Sequence, residues 1–332
     1  MVSSSISSLL LTLSFTSSTL GYKLVHNFDS TNWFQSFDWH TEKDPSNGFV
    51  DYISLPTAQS LGLAKITNNQ VFLGVDNTNV IPQGSRGRKA IWLTSKIEFT
   101  RGLLIGDFAH IPSSDCGSWP AFWTTNNGES RTVDVPDPEK VLYGEIDILE
   151  YFSDDTNGAM TLHTDTRSHC TFDQKKGPFQ TGERAEDFTD CTVGAGCSTT
   201  GLADSVGTPF NAQGGGVYAM DWTEKHINIY SWPRNAVPKD ITDGQPDVAN
   251  WGTPVASFDE SRGDCDMVEN FVAQTIYFDT TFCGDMAGGQ GWTDWSTCAA
   301  TTGVATCEEY VRNNPRAFAN AYWLINSVKV YQ

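Results

Sequence analysis

The chain has 332 residues, 39% hydrophobic and 12% aromatic, enough apolar material for one sizeable core. Its formal charge of −19 and pI near 4.5 argue against nucleic acid and anionic membrane as partners. A neutral ligand fits better.

Met1 to Gly21 carries no charged side chain and centres on Leu9-Leu10-Leu11-Thr12-Leu13. It reads as a secretory signal peptide, with the mature protein from residue 22 to 332. Nothing further along approaches the ~20 apolar residues of a membrane span. From there, short apolar or alternating runs recur: Ala64 to Ile66, Val71 to Val75, Ala90 to Leu93, Gly102 to Ile111, Tyr143 to Leu149, Thr275 to Thr280 and Ala321 to Tyr331. Val217 to Trp222 and Ile227 to Trp232 flank a short turn and read as a hairpin. A short helix is expected around Glu308 to Asn313. Turn residues separate the runs, which predicts an all-β antiparallel sandwich with long loops at about 124–142 and 165–213. No linker-like tract divides residues 22–332, so a single domain is expected. The triple glycine at 214–216 precedes no Lys-Ser/Thr and no G-x-S-x-G elbow is present, so nucleotide and acyl-transfer chemistry find no support.

Eight cysteines in a secreted chain predict up to four disulfides, with Cys191 and Cys197 placed to staple a short loop. His163, His169 and Cys170 are the nearest metal-ligand grouping, but no C-x-x-C pair accompanies them, and no metal site is assigned. No Asn-x-Ser/Thr sequon occurs.

Chemistry concentrates in Glu145-Ile146-Asp147-Ile148-Leu149-Glu150. Three carboxylates among core-type residues cost several kcal/mol unless they are paired or used. On a strand, Glu145 and Asp147 share one face, whereas Glu150, at an odd offset, points away. One extra residue near Ile148-Leu149, a β-bulge, brings all three together. The two glutamate Cα atoms then lie roughly 13 Å apart at ~3.3 Å per step. Inward-leaning side chains bring the carboxyl groups to about 5–6 Å, near the ~5–5.5 Å of retaining rather than the ~6.5–9.5 Å of inverting glycosidases. A helix would hold the glutamates about 140° apart. Asp147 is expected to orient Glu145, and neighbouring charge to raise Glu150 so that it stays protonated.

With the flanking Gly117-Ser118-Trp119-Pro120-Ala121-Phe122-Trp123 and Thr161-Leu162-His163-Thr164, the chain resembles glycoside hydrolase family 16, specifically the fungal laminarinase-like endo-β-1,3(4)-glucanases. Matching stretches continue through Gly214 to Met220, Asp279 to Asp285 and Ala321 to Trp323, covering about residues 22 to 332. The resemblance implies a concanavalin A-like jelly roll with a sugar cleft. It also implies Glu145 as nucleophile, Asp147 as assisting acid and Glu150 as acid/base, in the family's bulged branch. The activity implied is retaining hydrolysis of β-1,3 or mixed β-1,3/1,4 glucans, with glucan transglycosylation as the rival within the fold. A non-catalytic, lectin-like glucan binder is the other alternative, but such a protein has no use for both glutamates. His163 resembles the family's cleft histidine. Trp119, Trp123 and Trp232 are candidates to stack on sugar, with Phe122 inside. No cofactor is expected, and no calcium loop is legible although some relatives bind a structural ion. The protein is expected to be a secreted monomer, without the hydrophobic tail of a glycolipid anchor. Two departures mark the cleft: the segment from Thr124 to Leu142 lacks the relatives' Asn-Trp-Pro, and Met286 stands where they often have tryptophan.

Overall fold

The computed structural model describes residues 21–126, 142–173, 179–184 and 188–332; the signal-peptide assignment and most of the 124–142 loop lie outside them. Among the described residues two eight-stranded sheets face each other. The front sheet runs, edge to edge, Glu183–Arg184, Cys197–Thr200, Ala159–Thr164, Gly144–Glu150, Ser118–Thr125, Thr275–Phe282, Trp92–Ser95 and Phe37–Trp39. The back sheet runs Ala256–Asp259, His226–Pro233, Gly216–Trp222, Gly102–His110, Tyr322–Tyr331, Gln70–Gly74 and Ala64–Thr67, with Leu24–Phe28 also paired to Tyr322–Tyr331. Neighbours within both sheets are antiparallel, as a jelly roll requires. The expected hairpin forms, with Val217 opposite Trp232 and Trp222 opposite Ile227.

Period-two alternation builds the core. Phe122, Ile146, Leu162, Ile276 and Phe278 point inward from the front sheet, and Leu104, Phe108, Met220, Ile229 and Val328 from the back. Phe108 meets Phe122 edge-on at 5.5 Å between ring centres and Phe278 at 6.2 Å. Burying each such ring stabilises by about 1.5–3 kcal/mol. Gly215, at φ +77°, lets the backbone close on the adjacent strand, since a Cβ there would lie 2.1 Å from the Phe108 carbonyl oxygen.

The stretch 165–213, expected as one long loop, is more structured than that. It holds the strands Cys170–Phe172, Glu183–Arg184 and Cys197–Thr200 and the helix Gly207–Ala212. Cross-links explain the order: Cys170 bonds to Cys265 and Cys191 to Cys197. Cys116–Cys298 and Cys283–Cys307 complete four disulfides and leave no free cysteine. Cys170 is thereby unavailable to a metal. The helix foreseen near Glu308 spans Cys307–Asn313, with the Thr306 side chain accepting from the Glu309 backbone amide as a cap. No helix among the described residues is long and apolar enough to cross a membrane.

Candidate active site

The Gly144–Glu150 strand lies mid-sheet, between Ser118–Thr125 and Ala159–Thr164. Its ladder slips between Asp147 and Leu149 on one side and between Asp147 and Glu150 on the other. That is the bulge, with Ile148 and Leu149 both buried in the core. Parity is reset, and Glu145, Asp147 and Glu150 share the face turned away from the core. Register then sets their neighbours. Asp147 lies opposite Trp123 and Thr161, and Glu145 opposite His163. Glu150 sits between Ala121 and Ala159, whose small side chains leave room above it. At Gly144 any Cβ would lie 2.1 Å from the Asn270 carbonyl oxygen, so the strand enters the site through a contact that only glycine permits.

Each acid has a partner. Tyr143, two residues before Glu145 and so on its side of the strand, donates its hydroxyl to Glu145 Oε2. Trp119 Nε1 donates to Glu150 Oε1 at 2.8 Å. Asp147 Oδ2 lies 3.4 Å from His163 Nε2. Trp123 Nε1 donates to Asp279 Oδ2 at 2.7 Å, and its ring stacks on Tyr277 at 4.3 Å and 24°. The Cys191–Cys197 loop closes over His163, with Gly196 so near that a Cβ would meet His163 Cε1 at 2.7 Å. Glu145, Asp147 and His163 bring ligand atoms within 4.8 Å of one another and are the one grouping among the described residues able to hold a cation.

Burial dominates the electrostatics. It pushes Glu145 up to about 8; Asp147's charge adds to this, while His163 and the Tyr143 hydrogen bond oppose it. Asp147 is held well above the carboxylate range by burial, then by Glu150 and Asp279. Glu150 is raised by burial and pulled back by the Trp119 hydrogen bond and His163. Asp279 is raised in the same way, and Trp123 opposes that shift. Neighbouring charge was expected to raise Glu150; desolvation raises it instead, and its other partners pull it down. A proton on Asp147 removes the like charge beside Glu145 and lets Glu145 ionise at lower pH.

The structure brings Glu145, Asp147, Glu150, Trp119, Trp123 and His163 together, and buries Phe122 in the core as expected. Trp232 is elsewhere, which corrects its assignment to the cleft. It pairs with Val217 on the outer face of the back sheet and packs edge-on against Trp251 at 5.4 Å. Alternation sends Tyr218 and Met220 inward and hence Val217 and Trp232 outward. Tyr143, Tyr277 and Asp279 escaped sequence reasoning. Parity with Glu145 could have found Tyr143; nothing local connected Tyr277 and Asp279 to Trp123. Met286 is half-buried in the short helix Gly284–Ala287.

Comparison with known proteins agrees with this geometry. The family description "XgeA-like, catalytic GH16 domain" matches residues 37–331. A "Probable endo-1,3(4)-beta-glucanase" of Aspergillus niger is 39% identical over 94% of this chain and 40% of its own length. An endo-1,3(4)-beta-glucanase of Emericella nidulans is 37% identical over 94% of this chain and 47% of its own. The chain thus spans about half the length of the curated relatives it matches. Among solved structures, an elongating GH family 16 beta-1,3-glucosyltransferase aligns with TM-score 0.80 and 37% identity, covering 94% of this chain and 100% of that one. Laminarinase 16A from Phanerochaete chrysosporium, with beta-glucans in donor and acceptor sites, aligns with TM-score 0.81 and 35% identity over 94% and 99%. A match of this extent, on a bulged strand that gathers three acids, means that the chain belongs to glycoside hydrolase family 16, among its XgeA-like catalytic domains.

Proposed function

We propose that this chain is a secreted, retaining endo-β-glucanase that hydrolyses β-1,3 or mixed β-1,3/1,4 glucans by double displacement. The observation that carries this reading is the bulge that sets Glu145 and Glu150 on one face with Asp147 between them. In the first step a Glu145 carboxylate oxygen attacks the anomeric carbon while Glu150 gives its proton to the departing glycosidic oxygen. In the second, Glu150 takes a proton from water, the water oxygen attacks the same carbon, and the bond to Glu145 breaks. A protonated Asp147 keeps negative charge from accumulating beside Glu145. The half-exposed rings of Trp119 and Trp123 offer flat surfaces to pyranose C–H groups, and His163 flanks the cleft beside Asp147. No cofactor enters the scheme. A neutral glucan suits a chain of formal charge −19. Secretion draws support from four disulfides and the apolar leader.

Transfer to a sugar acceptor is the second reading, favoured by the likeness to a beta-1,3-glucosyltransferase and to a laminarinase mutant that cyclizes laminariheptaose. Incubation with laminarin, lichenan, agarose and carrageenan, with reducing ends measured, tests the first reading. Release from laminarin or lichenan alone is expected; no release from any of the four overturns it. Products longer than the substrate, formed with excess laminari-oligosaccharide, would identify transfer instead.

A further inference from the structure

We propose that Tyr143 is the positioning residue of the nucleophile: its hydroxyl fixes one oxygen of Glu145 and leaves the other free to attack. This rests on reading Glu145 as the nucleophile. Among the described residues its hydroxyl is the one hydrogen-bond donor to Glu145.

The backbone around Tyr143 is held from both sides. Asn126 Nδ2 donates to the Leu142 carbonyl at 2.9 Å, and the Gly144 amide donates to Asn126 Oδ1 at 3.0 Å. The Asp165 amide donates to the Tyr143 carbonyl at 2.9 Å. The Gly144 carbonyl accepts from Thr125 Oγ1 at 3.0 Å and from Gln274 Nε2 at 3.2 Å. These bonds fix the backbone from which the phenol projects, and the hydrogen bond to Glu145 Oε2 orients the ring itself, which is the preorganisation a catalytic hydrogen bond needs. Burial first, then the charge of Glu145, keeps the phenol protonated well beyond any working pH, so it is always the donor.

A donor on Glu145 acts in both steps. Before attack it stabilises the carboxylate against the burial that would protonate it. During breakdown of the glycosyl ester, charge returns to Glu145 as the carbon–oxygen bond breaks, and the same hydrogen bond strengthens to receive it. The groups that share this titration are Asp147 and Glu150 on the same strand, His163 from the next strand and Asp279 from Thr275–Phe282. None of the four replaces a donor at Oε2.

The test is the pH dependence of kcat/KM on an aryl β-laminaribioside for wild type, Glu145→Gln and Tyr143→Phe, with thermal melts by circular dichroism. Loss of the hydrogen bond raises the acid limb of Tyr143→Phe by about one pH unit. It also slows breakdown of the glycosyl-enzyme about tenfold, read as a pre-steady-state burst. Replacing Tyr143 by 3-fluorotyrosine, a stronger donor of nearly the same shape, moves the limb the other way and covers the case in which the phenylalanine variant does not fold. An unmoved acid limb in folded variants, with wild type active and Glu145→Gln dead, overturns the role of Tyr143 alone. An inactive wild type overturns the catalytic reading with it.

Discussion

Trp119 illustrates how one side chain can serve two purposes at once. Its ring is half-exposed on the cleft face, yet its indole N–H is committed to Glu150 Oε1 at 2.8 Å. That bond favours ionised Glu150 and opposes the burial that raises it. Trp119→Phe keeps an aromatic face and removes the donor, so the alkaline limb of the activity profile is expected to move to higher pH. An unshifted limb with only a raised KM would mean that the ring, not the N–H, matters. The glutamates themselves give a simpler expectation. Glu145→Gln and Glu150→Gln keep size and shape but remove the proposed nucleophile and proposed proton donor, so each is expected to lower kcat on the order of 10³-fold. Circular dichroism should show both still folded, and activity near wild type in either would refute its role. At this scale the sequence revealed the acids by their cost among apolar neighbours, but it passed over Tyr143, two residues before Glu145. It could not show that Trp119 and Trp123 each hold a carboxylate, because Asp279 is 156 residues away from Trp123 and meets it only in the folded sheet.

At the scale of the strand, the site depends on a slip in register rather than on any side chain. Ile148 and Leu149 both point into the core, so two consecutive residues do the work that one does elsewhere in the ladder. Leu149 is fully buried, and Leu149→Ala should lower stability by about 2–5 kcal/mol through lost burial and the cavity left behind. The backbone register stays, so the protein that remains folded should retain kcat. Denaturant melts alongside kinetics check both halves; a collapse of kcat in fully folded protein would show that the side chain, too, aims Glu150. The bulge was legible because an odd spacing of acids makes no sense on a regular strand. The hairpin of Val217 to Trp232 was equally legible, but not the sheet it joins. Alternation says that Trp232 and Tyr218 face opposite ways; only packing says that Tyr218 took the core and Trp232 the far surface.

Across the whole molecule, buried acids govern the response to pH. Burial raises Asp115 to about 7, Asp155 to about 6 and Glu145 to about 8. A carboxyl whose folded pKa exceeds its unfolded value binds more protons when folded, so stability falls as pH rises from the unfolded to the folded pKa. His110, lowered to about 4 by burial, works oppositely, but only up to its ordinary 6.5. Asp165, held below the carboxylate range by Arg167, is ionised in both states throughout this interval. Between pH 6.5 and 8 Asp115 and Glu145 act unopposed, and Tm should drop on the order of 5 °C. Scanning calorimetry across that interval checks it, and a flat or rising Tm would contradict the assignment. Asp115→Asn should flatten part of the slope.

The sequence by itself determined the fold class, the hairpin, the short helix near Glu308 and the three acids. These follow from local facts: period-two alternation, turn residues, and the cost of carboxylates among isoleucines. Tertiary structure decided what lies across the sheet from those acids. It paired Trp123 with Asp279 and Tyr277, pressed the Cys191–Cys197 loop onto His163, paired the eight cysteines into four disulfides, and sent Trp232 to the opposite surface. The reason is physical. Strand pairing joins residues of unrelated sequence position, so a strand's own face is written locally while its neighbours are chosen by the packing of the whole sandwich.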